Sequence, residues 1–335
     1  MDLVTLGEIL IDMFPAEMGR GLTEVSAFHP KPGGAPANVA VAAQRLGAQT
    51  AFIGCVGADA FGQHLIDVMR TEGVATQGIQ IDEQARTTMA FIAMRDENTP
   101  EFVFYRNPGA DTRIAPERLD RALLNSTRAL HFGSLSLTDE PAFSATLKAI
   151  QIAREGGALI SYDVNYRPAL WSSPEAALAA ALDLLPEVDL LKVNEEELVL
   201  LSGQSGIMSQ PDLAAALTDA SQVLLEKGPE LVIVTLGPNG SFFQTADGSG
   251  MVPPFRVETV DAVGCGDAFI AGVLTRLILG LKPGEDWRSR LSPAALHEHL
   301  RYANAVGALT ALTQGVIPAL PHADQVDAFL ATHHN

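Results

Sequence analysis

The sequence predicts an α/β fold: a doubly wound, mostly parallel sheet with helices on both faces and a small β-lid. Short apolar runs alternate with stretches of helical spacing, no repeat or low-complexity tract interrupts them, and one β-rich pair of segments departs from the alternation. With 335 residues, 47% of them hydrophobic and 19% charged, the chain has enough apolar surface for a large core. We therefore expect residues 1–335 to form a single domain.

Strand and helix patterns follow one another from the N-terminus. Leu3–Leu6 and Ile9–Ile11 are expected to form a first strand with a bulge or turn at Gly7. A helix, a strand and a second helix are predicted next, followed by four buried strands: Val39–Leu46, Thr50–Val56, Phe61–Thr71, Ala129–Phe132, Leu159–Tyr162, Leu190–Val193 and Val232–Leu236. Because strands that alternate with helices are typical of βαβ units, the sheet is predicted to be mostly parallel.

One pair of segments breaks this order. Thr87–Arg95 and Glu101–Arg106 are rich in β-forming residues and flank an Asp-Glu-Asn-Thr-Pro turn, which predicts a hairpin. A hairpin inside a doubly wound pattern often protrudes as a small sheet. We expect a lid over the site, built from segments near 14–32 and 85–112.

The charge and cysteine content exclude several classes of protein. A formal net charge of −18 disfavours nucleic acid and anionic membranes as partners. The first residues, MDLVTLGEILIDMF, lack the basic region of a signal peptide, and no apolar run reaches membrane-span length. The two cysteines, Cys55 and Cys265, make neither a disulfide scaffold nor a metal cluster, so we expect a cytoplasmic protein.

Residues 261–272, DAVGCGDAFIAG, carry the strongest chemical pattern. Gly264 and Gly266 bracket Cys265 just before an apolar helix, so successive backbone N–H groups can face an anion at the positive end of that helix. Asp267 follows in the first turn, where a carboxylate can take a proton from an attacking hydroxyl while the N–H groups hold a phosphoryl group. A glycine-rich turn in which Asp267 only caps the helix is the alternative.

A second stretch, PGGAPANVAVAAQRLG at 32–47, also opens a helix. Gly33 and Gly34 let a ligand approach the backbone, and Asn38 offers an amide to hydroxyl groups. The small residues equally favour close packing of this helix on the sheet. On its own, therefore, this stretch leaves binding and packing both open.

Together the two stretches resemble the paired signatures of the PfkB family of carbohydrate kinases, and the resemblance extends from Gly7 to Gly315. It implies a ribokinase-like fold in which sugar lies between lid and core and ATP lies along the C-terminal half, with its γ-phosphate at Gly264–Gly266. Asp12, Gly33, Gly34 and Asn38 match positions that hold sugar hydroxyls in relatives. Asp267 matches the catalytic base.

The resemblance also assigns a nucleotide side. It implies that Asn194 and Glu197 organise Mg²⁺ and the phosphates through water, although this pair is equally a plausible helix capping box. The other residues predicted to contact the nucleotide are Lys192, Thr235, Gly237, Gly240 and Asn304. Asp261, the carbonyl of Val263 and the loop around 311–316 match a region that binds a monovalent cation in several relatives, so K⁺ is a further expected ion.

Within the family, the chain resembles the enzymes that phosphorylate fructose at the 6-hydroxyl. Phe104 and Arg106 lie in a lid segment of that type, and Asn165 and Arg167 are expected to contact the sugar or the transferring phosphate. A kinase for 2-keto-3-deoxygluconate is the nearest alternative, because it shares the Asp-x-Asn-x-Arg-x-x-Leu-Trp pattern. Its acidic substrate would favour polar lid residues, whereas Phe91 and Phe104 favour a neutral sugar.

The chain departs from the usual family pattern at two places, and two other classes of protein are alternatives to a kinase. Ala262-Val263 replace the usual Thr-Thr and Cys265 replaces an alanine, and a cysteine at a helix N-terminus predicts a reactive thiolate. A dinucleotide-dependent oxidoreductase is disfavoured, since no Gly-x-Gly-x-x-Gly follows the first strand. A catalytically silent sugar-binding protein stays open, as does a homodimer joined through the lids.

Overall fold

A computed structural model describes residues 1–17, 19–96, 99–282 and 285–333. These residues form thirteen strands: β1 (Leu3–Leu6), β2 (Leu10–Pro15), β3 (Phe28–Gly33), β4 (Thr50–Gly57), β5 (Ala75–Asp82), β6 (Met89–Asp96), β7 (Thr99–Tyr105), β8 (Ala129–Gly133), β9 (Leu159–Asp163), β10 (Leu190–Asn194), β11 (Leu231–Thr235), β12 (Ser241–Thr245) and β13 (Gly248–Val252). They also form eleven helices: α1 (Ala35–Arg45), α2 (Ala60–Thr71), α3 (Arg121–Asn125), α4 (Ala142–Glu155), α5 (Pro174–Leu184), α6 (Glu195–Ser202), α7 (Leu213–Leu225), α8 (Cys265–Ile278), α9 (Pro293–Thr310), α10 (Val316–Ala319) and α11 (Ala323–Thr332).

The main sheet has nine strands among the described residues, in the order β13-β12-β11-β10-β9-β8-β1-β4-β5. Its strands from β5 to β11 are parallel, and β12 and β13 continue it as antiparallel neighbours. The chain runs outward from β1 through β4 to β5 and then returns to β8 on the other side of β1. This reversal is a topological switch point, where open α/β sheets bind ligands beyond the carboxyl ends of their strands.

Helices cover both faces of this sheet, as predicted. Side chains of α1, α2, α8, α9 and α11 pack in one buried cluster, and those of α3 to α7 pack in another on the opposite face. The strands between the clusters are apolar on both sides, as expected for a parallel sheet covered by helices. The predicted α/β class is therefore confirmed. Among the described residues, no helix is long and apolar enough to cross a membrane.

The lid is a separate four-stranded sheet in the order β3-β2-β6-β7. Strands β2 and β3 pair antiparallel, as do β6 and β7, while β2 and β6 pair in parallel. The predicted hairpin and its two lid segments are thus present. Residues 97 and 98 of its expected turn, and residue 18 of the first lid segment, lie outside the described residues.

The prediction of one continuous first strand was wrong. Leu3–Leu6 is a central strand of the main sheet, whereas Leu10–Pro15 belongs to the lid. The chain changes direction at Gly7, whose φ is +148° and whose missing Cβ would lie 2.7 Å from Pro36 Cγ. Both segments are apolar, so the pattern of hydrophobic residues did not separate them.

Candidate active site

The turn before α8 has the geometry of an anion site. Helix α8 starts at Cys265, after Gly264 in the left-handed conformation (φ 80°). A Cβ on Gly264 would lie 2.3 Å from Val316 Cγ1, so glycine is required there for both conformation and space. Among the described residues, the N–H groups of Gly264 and Gly266 have no protein acceptor, and that of Cys265 makes a 3.3 Å contact with the Ala262 carbonyl. These groups lie at the positive end of the helix dipole.

Asp267 lies in the first turn of α8 but does not cap it, since no side-chain hydrogen bond is made to the helix N-terminus. Its carboxylate is buried and accepts a 2.8 Å hydrogen bond from Asn38 Nδ2. The bond joins the start of α8 to the first turns of α1, so the two glycine-rich stretches meet. The capping interpretation of Asp267 is therefore excluded by the geometry.

Lys192 reaches the same point from the end of β10. Its side chain is 7% exposed, and Nζ donates to both carboxylate oxygens of Asp163 at 2.9 and 3.0 Å. A Cβ on Gly266 would lie 3.3 Å from this ammonium, so the charge sits directly beside the anion turn. Burial alone lowers the pKa of Lys192, but the carboxylates of Asp163 and Glu197 outweigh it and raise that pKa, which keeps the ammonium charged.

The lid contributes a second carboxylate. Asp12 on β2 lies close to Gly33, where a Cβ would approach Asp12 Oδ2 to 1.9 Å. Gly34 precedes α1 with φ 106°, and a Cβ there would lie 2.5 Å from the Glu8 carbonyl. The two glycines thus allow the lid, the loop after β1 and the start of α1 to meet closely around Asp12.

The two carboxylates facing this space have raised pKa values. Burial raises the pKa of Asp12 to about 7, with a further contribution from the charge of Asp267, while Arg167 opposes the shift. Burial also raises the pKa of Asp267 to about 6, against the Asn38 hydrogen bond and the charges of Lys192 and Arg167. Such values suit groups that exchange protons near neutral pH.

The predicted residues after β9 lie at this site. The charge of Arg167 is close enough to Asp12 and Asp267 to lower the pKa of both. Asn165 has φ 39°, which among the described residues is the only positive φ outside glycine. Such a conformation costs energy and is commonly retained where a loop has a specific role. The loop is tied to β10–α6 because Glu197 Oε1 accepts from the Tyr166 N–H at 2.7 Å.

Asn194 and Glu197 form the capping box that the sequence allowed. Asn194 Oδ1 accepts from the Glu197 N–H at 2.9 Å, and Glu197 Oε2 accepts from the Asn194 N–H at 2.8 Å. Both oxygens of the buried Glu197 carboxylate therefore already accept backbone N–H groups. Their predicted role toward Mg²⁺ stays a prediction, and any contact with the metal would run through water.

The lid strands separate the two phenylalanines that predicted a neutral sugar. Residues directly opposite in a sheet share a face, and the register pairs Asp12 with Ala90 and Ala90 with Phe104, so Phe104 lies on the face of Asp12. Phe91 lies on the opposite face, where its ring is 5.1 Å from Phe28 and 5.2 Å from Tyr105. The use of Phe91 as a sugar-facing residue was wrong, because strand alternation turns it away.

Arg106 is held by the core at the base of the lid hairpin. Its guanidinium donates to Asp111 at 2.7 Å, to Thr138 at 2.8 Å and to the Leu135 carbonyl at 2.9 Å, and its side chain is 6% exposed. A sugar contact from Arg106 stays a prediction, but this geometry does not favour it. The residue instead connects the end of β7 to the loop after β8.

Three of the residues predicted to contact the nucleotide, Thr235, Gly237 and Gly240, lie at the end of β11 or in the turn after it, and Asn304 lies on α9. The Thr235 hydroxyl makes a 3.4 Å contact with the Val193 carbonyl, and a 3-10 turn with positive φ at Gly237 and Gly240 comes next. Asn304 donates from Nδ2 to the carbonyls of Val252 and Pro253 at 3.3 and 3.0 Å. This contact gives Asn304 a structural role that joins α9 to the end of β13.

Asp261 stabilises the loop that packs on the anion turn. Oδ1 accepts from the Val263 N–H at 3.0 Å and Oδ2 from the Gly315 N–H at 2.9 Å. The Asp261 N–H donates to the Ala311 carbonyl at 3.2 Å. The predicted cation-binding residues are therefore neighbours, although their role toward K⁺ stays a prediction.

The prediction of a reactive Cys265 thiolate was wrong. Burial raises the pKa of Cys265 to about 12, and the charges of Asp261 and Asp267 add to the shift. These effects outweigh the positive end of the helix dipole, which favours the thiolate. The position of Cys265 at a helix start was the only one of these influences that the sequence indicates. The thiol stays protonated at neutral pH.

We expect iodoacetamide to label Cys265 at pH 8 at least ~100-fold more slowly than a free thiol, because the thiolate is the nucleophile. Peptide mass spectrometry of the folded protein measures the rate, and the urea-unfolded chain is the control. Labelling of the folded protein at the unfolded rate would contradict this protonation state.

Two residues of the site received no role from the sequence. Asp163 was visible in the Asp-Val-Asn-Tyr-Arg stretch, but its pairing with Lys192 joins residues from two strands. Glu8 follows β1, is buried, and accepts from the Ala35 N–H at 2.9 Å. Burial raises the pKa of Glu8 to about 8, so it is largely protonated at neutral pH. Both residues follow predicted strands, and this position was the only feature of the sequence that could have indicated a role in the site.

Three comparisons with known proteins agree with this geometry. The profile described as the pfkB family carbohydrate kinase matches residues 1–323. A protein from Arabidopsis thaliana named probable fructokinase-2 is 40% identical over 328 residues, which cover 98% of this chain and 95% of that protein. Among solved structures, a fructokinase with bound ATP from Xylella fastidiosa is similar with a TM-score of 0.86 and 33% identity, covering 98% of both chains. A putative ribokinase II from E. coli in complex with ATP and Mg²⁺ has a TM-score of 0.84 and 28% identity, covering 99% of both chains.

Proposed function

The chain belongs to the pfkB family of carbohydrate kinases, and from this premise we propose that it transfers the γ-phosphoryl group of ATP to the 6-hydroxyl of D-fructose. Relatives named fructokinases, similar over nearly the whole chain, support fructose as the acceptor. One observation carries the chemistry: the buried carboxylate of Asp267 lies beside backbone N–H groups at a helix start and joins Asn38 at the base of the lid. Base and anion site are thus adjacent, as direct phosphoryl transfer requires.

In this mechanism, fructose binds between lid and core, where Asp12, Asn38 and the backbone at Gly33 and Gly34 hold its hydroxyls. Phe104 and Asn165 lie beside it. Asp267 takes the proton of the 6-hydroxyl as that oxygen forms its bond to the γ-phosphorus and the bond to the leaving ADP oxygen breaks. Exclusion of water by the lid limits hydrolysis of ATP.

The transferring charge is stabilised by N–H groups of Gly264, Cys265 and Gly266 and by the cations Lys192 and Arg167. Lys192 is fixed beside the turn by its buried pairing with Asp163, so it needs little rearrangement during transfer. Thr235, Gly237 and Gly240 would lie along the nucleotide, and Asn304 would border it while it also holds β13.

When bound with ATP, Mg²⁺ would neutralise part of the phosphate charge during transfer. Among the described residues, no cluster of three metal-binding side chains occurs. Asn194 and Glu197 would hold waters of the bound Mg²⁺, since the Glu197 oxygens are already engaged by backbone groups.

A coupled ADP-release assay with Mg²⁺-ATP against fructose, ribose, adenosine and 2-keto-3-deoxygluconate tests the proposal. Turnover chiefly with fructose is expected. Turnover chiefly with 2-keto-3-deoxygluconate would keep the mechanism and refute the acceptor assigned through Phe104. Sugar binding without ADP release would point instead to the silent sugar-binding protein.

The pH dependence of the reaction follows from the two raised carboxylates. Asp267 must be ionised to accept a proton, and its pKa of about 6 is coupled to that of Asp12 at about 7. We expect kcat/KM for fructose to fall as pH is lowered through this range. Asn38→Ala removes a hydrogen bond that favours the ionised form of Asp267, so it should move the acidic limb to higher pH. An unchanged acidic limb in the kcat/KM profile of the variant, measured at fructose concentrations well below KM, would contradict this coupling.

We extend the proposal to K⁺ at Asp261, the Val263 carbonyl and the loop around 311–316, where a bound cation would stiffen the anion turn. The support is the direct attachment of this loop to Asp261. We expect higher turnover in potassium salts than in sodium salts of equal ionic strength. Equal rates in sodium, potassium and caesium salts would refute the site.

Residues 1–335 are proposed to act as a single domain in the cytoplasm, where the free thiols of Cys55 and Cys265 would stay reduced.

A homodimer joined through the lids is supported by Val103 and Tyr105, which are 44% and 67% exposed on the lid face opposite Asp12. Exposed apolar side chains on a sheet face are typical of a contact surface. Sedimentation of the protein gives the oligomeric state directly.

A further inference from the structure

A second cavity lies at the far end of α8. It has a volume of about 430 Å³ and is lined by the last turn of α8, one face of α9 and the 3-10 turn at Trp287–Arg290. Asp267 and Arg276 are nine residues apart on α8, so about 14 Å of helix separates this cavity from the catalytic carboxylate. None of its lining residues belongs to the active site described above. The volume lies within the usual range for small-molecule sites.

A buried imidazole lines this cavity without any hydrogen-bond partner. His299 on α9 is 8% exposed, and neither ring nitrogen has an acceptor or donor within reach among the described residues. Buried polar groups are nearly always paired, and an unpaired one costs about 1–3 kcal/mol. His299 lines the cavity while both of its ring nitrogens are covered, so a ligand in the cavity would supply the missing partner once the imidazole turns toward it.

Two guanidinium groups line the same cavity as the imidazole. Arg276 lies over the Tyr302 ring at 5.3 Å, and Arg290 Nη1 donates to the Arg276 and Leu279 carbonyls, each at 2.6 Å. In the part of the chain that the structure describes, no carboxylate lies within ion-pair distance of either arginine. The protein as a whole carries a net charge of −18, whereas this cavity is locally positive because two arginines in it lack a carboxylate partner.

We propose that this cavity binds a small phosphate monoester, whose phosphate group lies between Arg276, Arg290 and His299. Guanidinium groups match phosphate oxygens in geometry and charge, and a phosphate oxygen would supply the partner that His299 lacks. The cavity is larger than phosphate alone requires, and the Ser289 and Tyr302 side chains line the remaining space for the polar body of the ester. The site is distinct from the proposed kinase site and does not depend on its substrate.

The remaining charges near the cavity do not oppose an anion strongly. The carbonyls at the end of α8 carry the negative end of the helix dipole, but Arg290 already donates to two of them. Asp327 lies near Tyr302, where its charge adds to the raising of the Tyr302 pKa by burial. Glu285 lies near Arg290, whose charge adds to the lowering of the Glu285 pKa by a backbone hydrogen bond. Burial, together with the charges of Arg276 and Arg290, lowers the pKa of His299 to about 4, so the imidazole is neutral in the free protein. A bound phosphate would raise that pKa, because an anion favours the charged form.

The test follows His299 directly by ¹H–¹⁵N spectroscopy of the imidazole groups at pH 7 and constant ionic strength. Glycerol 3-phosphate and inorganic phosphate are the two probes. Saturable shifts of the His299 resonances are expected with both, with tighter binding of the ester. The resonance is assigned by its loss in His299→Gln.

Arg276→Gln is the site variant, since Arg276 is exposed and its loss should weaken binding about tenfold or more, as expected for a charge-assisted hydrogen bond. Arg70→Gln removes the same charge from another exposed helix surface and should leave the affinity unchanged. If His299→Gln does not fold, the thermal shift produced by each probe in wild type and in Arg276→Gln gives the same comparison.

The absence of any saturable His299 shift at millimolar concentrations of the probes would overturn the proposal and leave the cavity filled by water. Equal affinity in wild type and Arg276→Gln would also overturn it. Tighter binding of inorganic phosphate than of glycerol 3-phosphate would replace the ester by free phosphate as the ligand.

Discussion

Asp267→Asn is expected to lower the turnover of fructose phosphorylation by about 10²–10⁴-fold, the usual contribution of a positioned general base. The amide cannot accept the proton of the 6-hydroxyl, yet it has nearly the shape of the carboxylate and can still accept the hydrogen bond from Asn38. Fructose affinity should therefore change little. Turnover comes from the coupled ADP assay, and affinity from calorimetric titration with fructose in the presence of a non-hydrolysable ATP analogue.

Asp212→Asn is the matched control for this substitution. Asp212 also lies at a helix start, where it caps α7 through the Ala215 N–H, but it is exposed and away from the candidate site. It should keep wild-type turnover. If Asp267→Asn retained turnover within tenfold of wild type, proton abstraction by Asp267 would be refuted. A large loss of fructose affinity would instead assign Asp267 mainly to sugar binding.

Lys192→Met is expected to lower the free energy of unfolding by about 3–5 kcal/mol, because it leaves the buried Asp163 carboxylate without its partner. The substitution also removes the ammonium beside Gly266, so turnover should fall as well. Combining it with Asp163→Leu replaces the pair by apolar side chains of similar size. Such replacement is often neutral or stabilising, so stability should largely recover in the double variant while turnover does not.

Denaturant titrations at pH 7 measure the stability of both variants, and Lys227→Met controls for the loss of an exposed lysine. An exposed substitution of that kind should change stability by no more than about 0.5 kcal/mol. A loss of less than ~1 kcal/mol in Lys192→Met would contradict this prediction, because it would show that the buried Asp163 carboxylate does not depend on Lys192 for its stabilisation. Recovery of turnover in the double variant would refute the proposed role of Lys192 toward phosphate.

Local patterns in the sequence were sufficient to predict most of the parallel strands, the first two helices, the lid hairpin and the anion turn. Apolar runs mark the buried strands, and Gly264 marks the start of α8, where its positive φ and the close approach of Val316 require glycine. Gly7 shows the limit of the same method, because two apolar strands on either side of it belong to different sheets. Which sheet a strand joins depends on partners far away in the chain.

Local sequence patterns also did not predict which side chains contact each other or how the titratable groups are protonated. Phe91 and Phe104 look equivalent in the sequence, and only the register between β6 and β7 places them on opposite faces. The thiol of Cys265 follows burial and two nearby carboxylates rather than its helix position. Arg106 was expected at the sugar, yet the geometry provides it with acceptors from loops about thirty residues away.

The lid strands come from two separate stretches of chain that meet through the parallel pairing of β2 with β6. Each stretch supplies one hairpin, and neither hairpin alone gives both Asp12 and Phe104. Transplanting a single hairpin from a relative would therefore create a chimaera whose two halves are mismatched where β2 pairs with β6. Engineering of acceptor preference in this scaffold must exchange both hairpins together, with the residues across their shared seam kept as one unit.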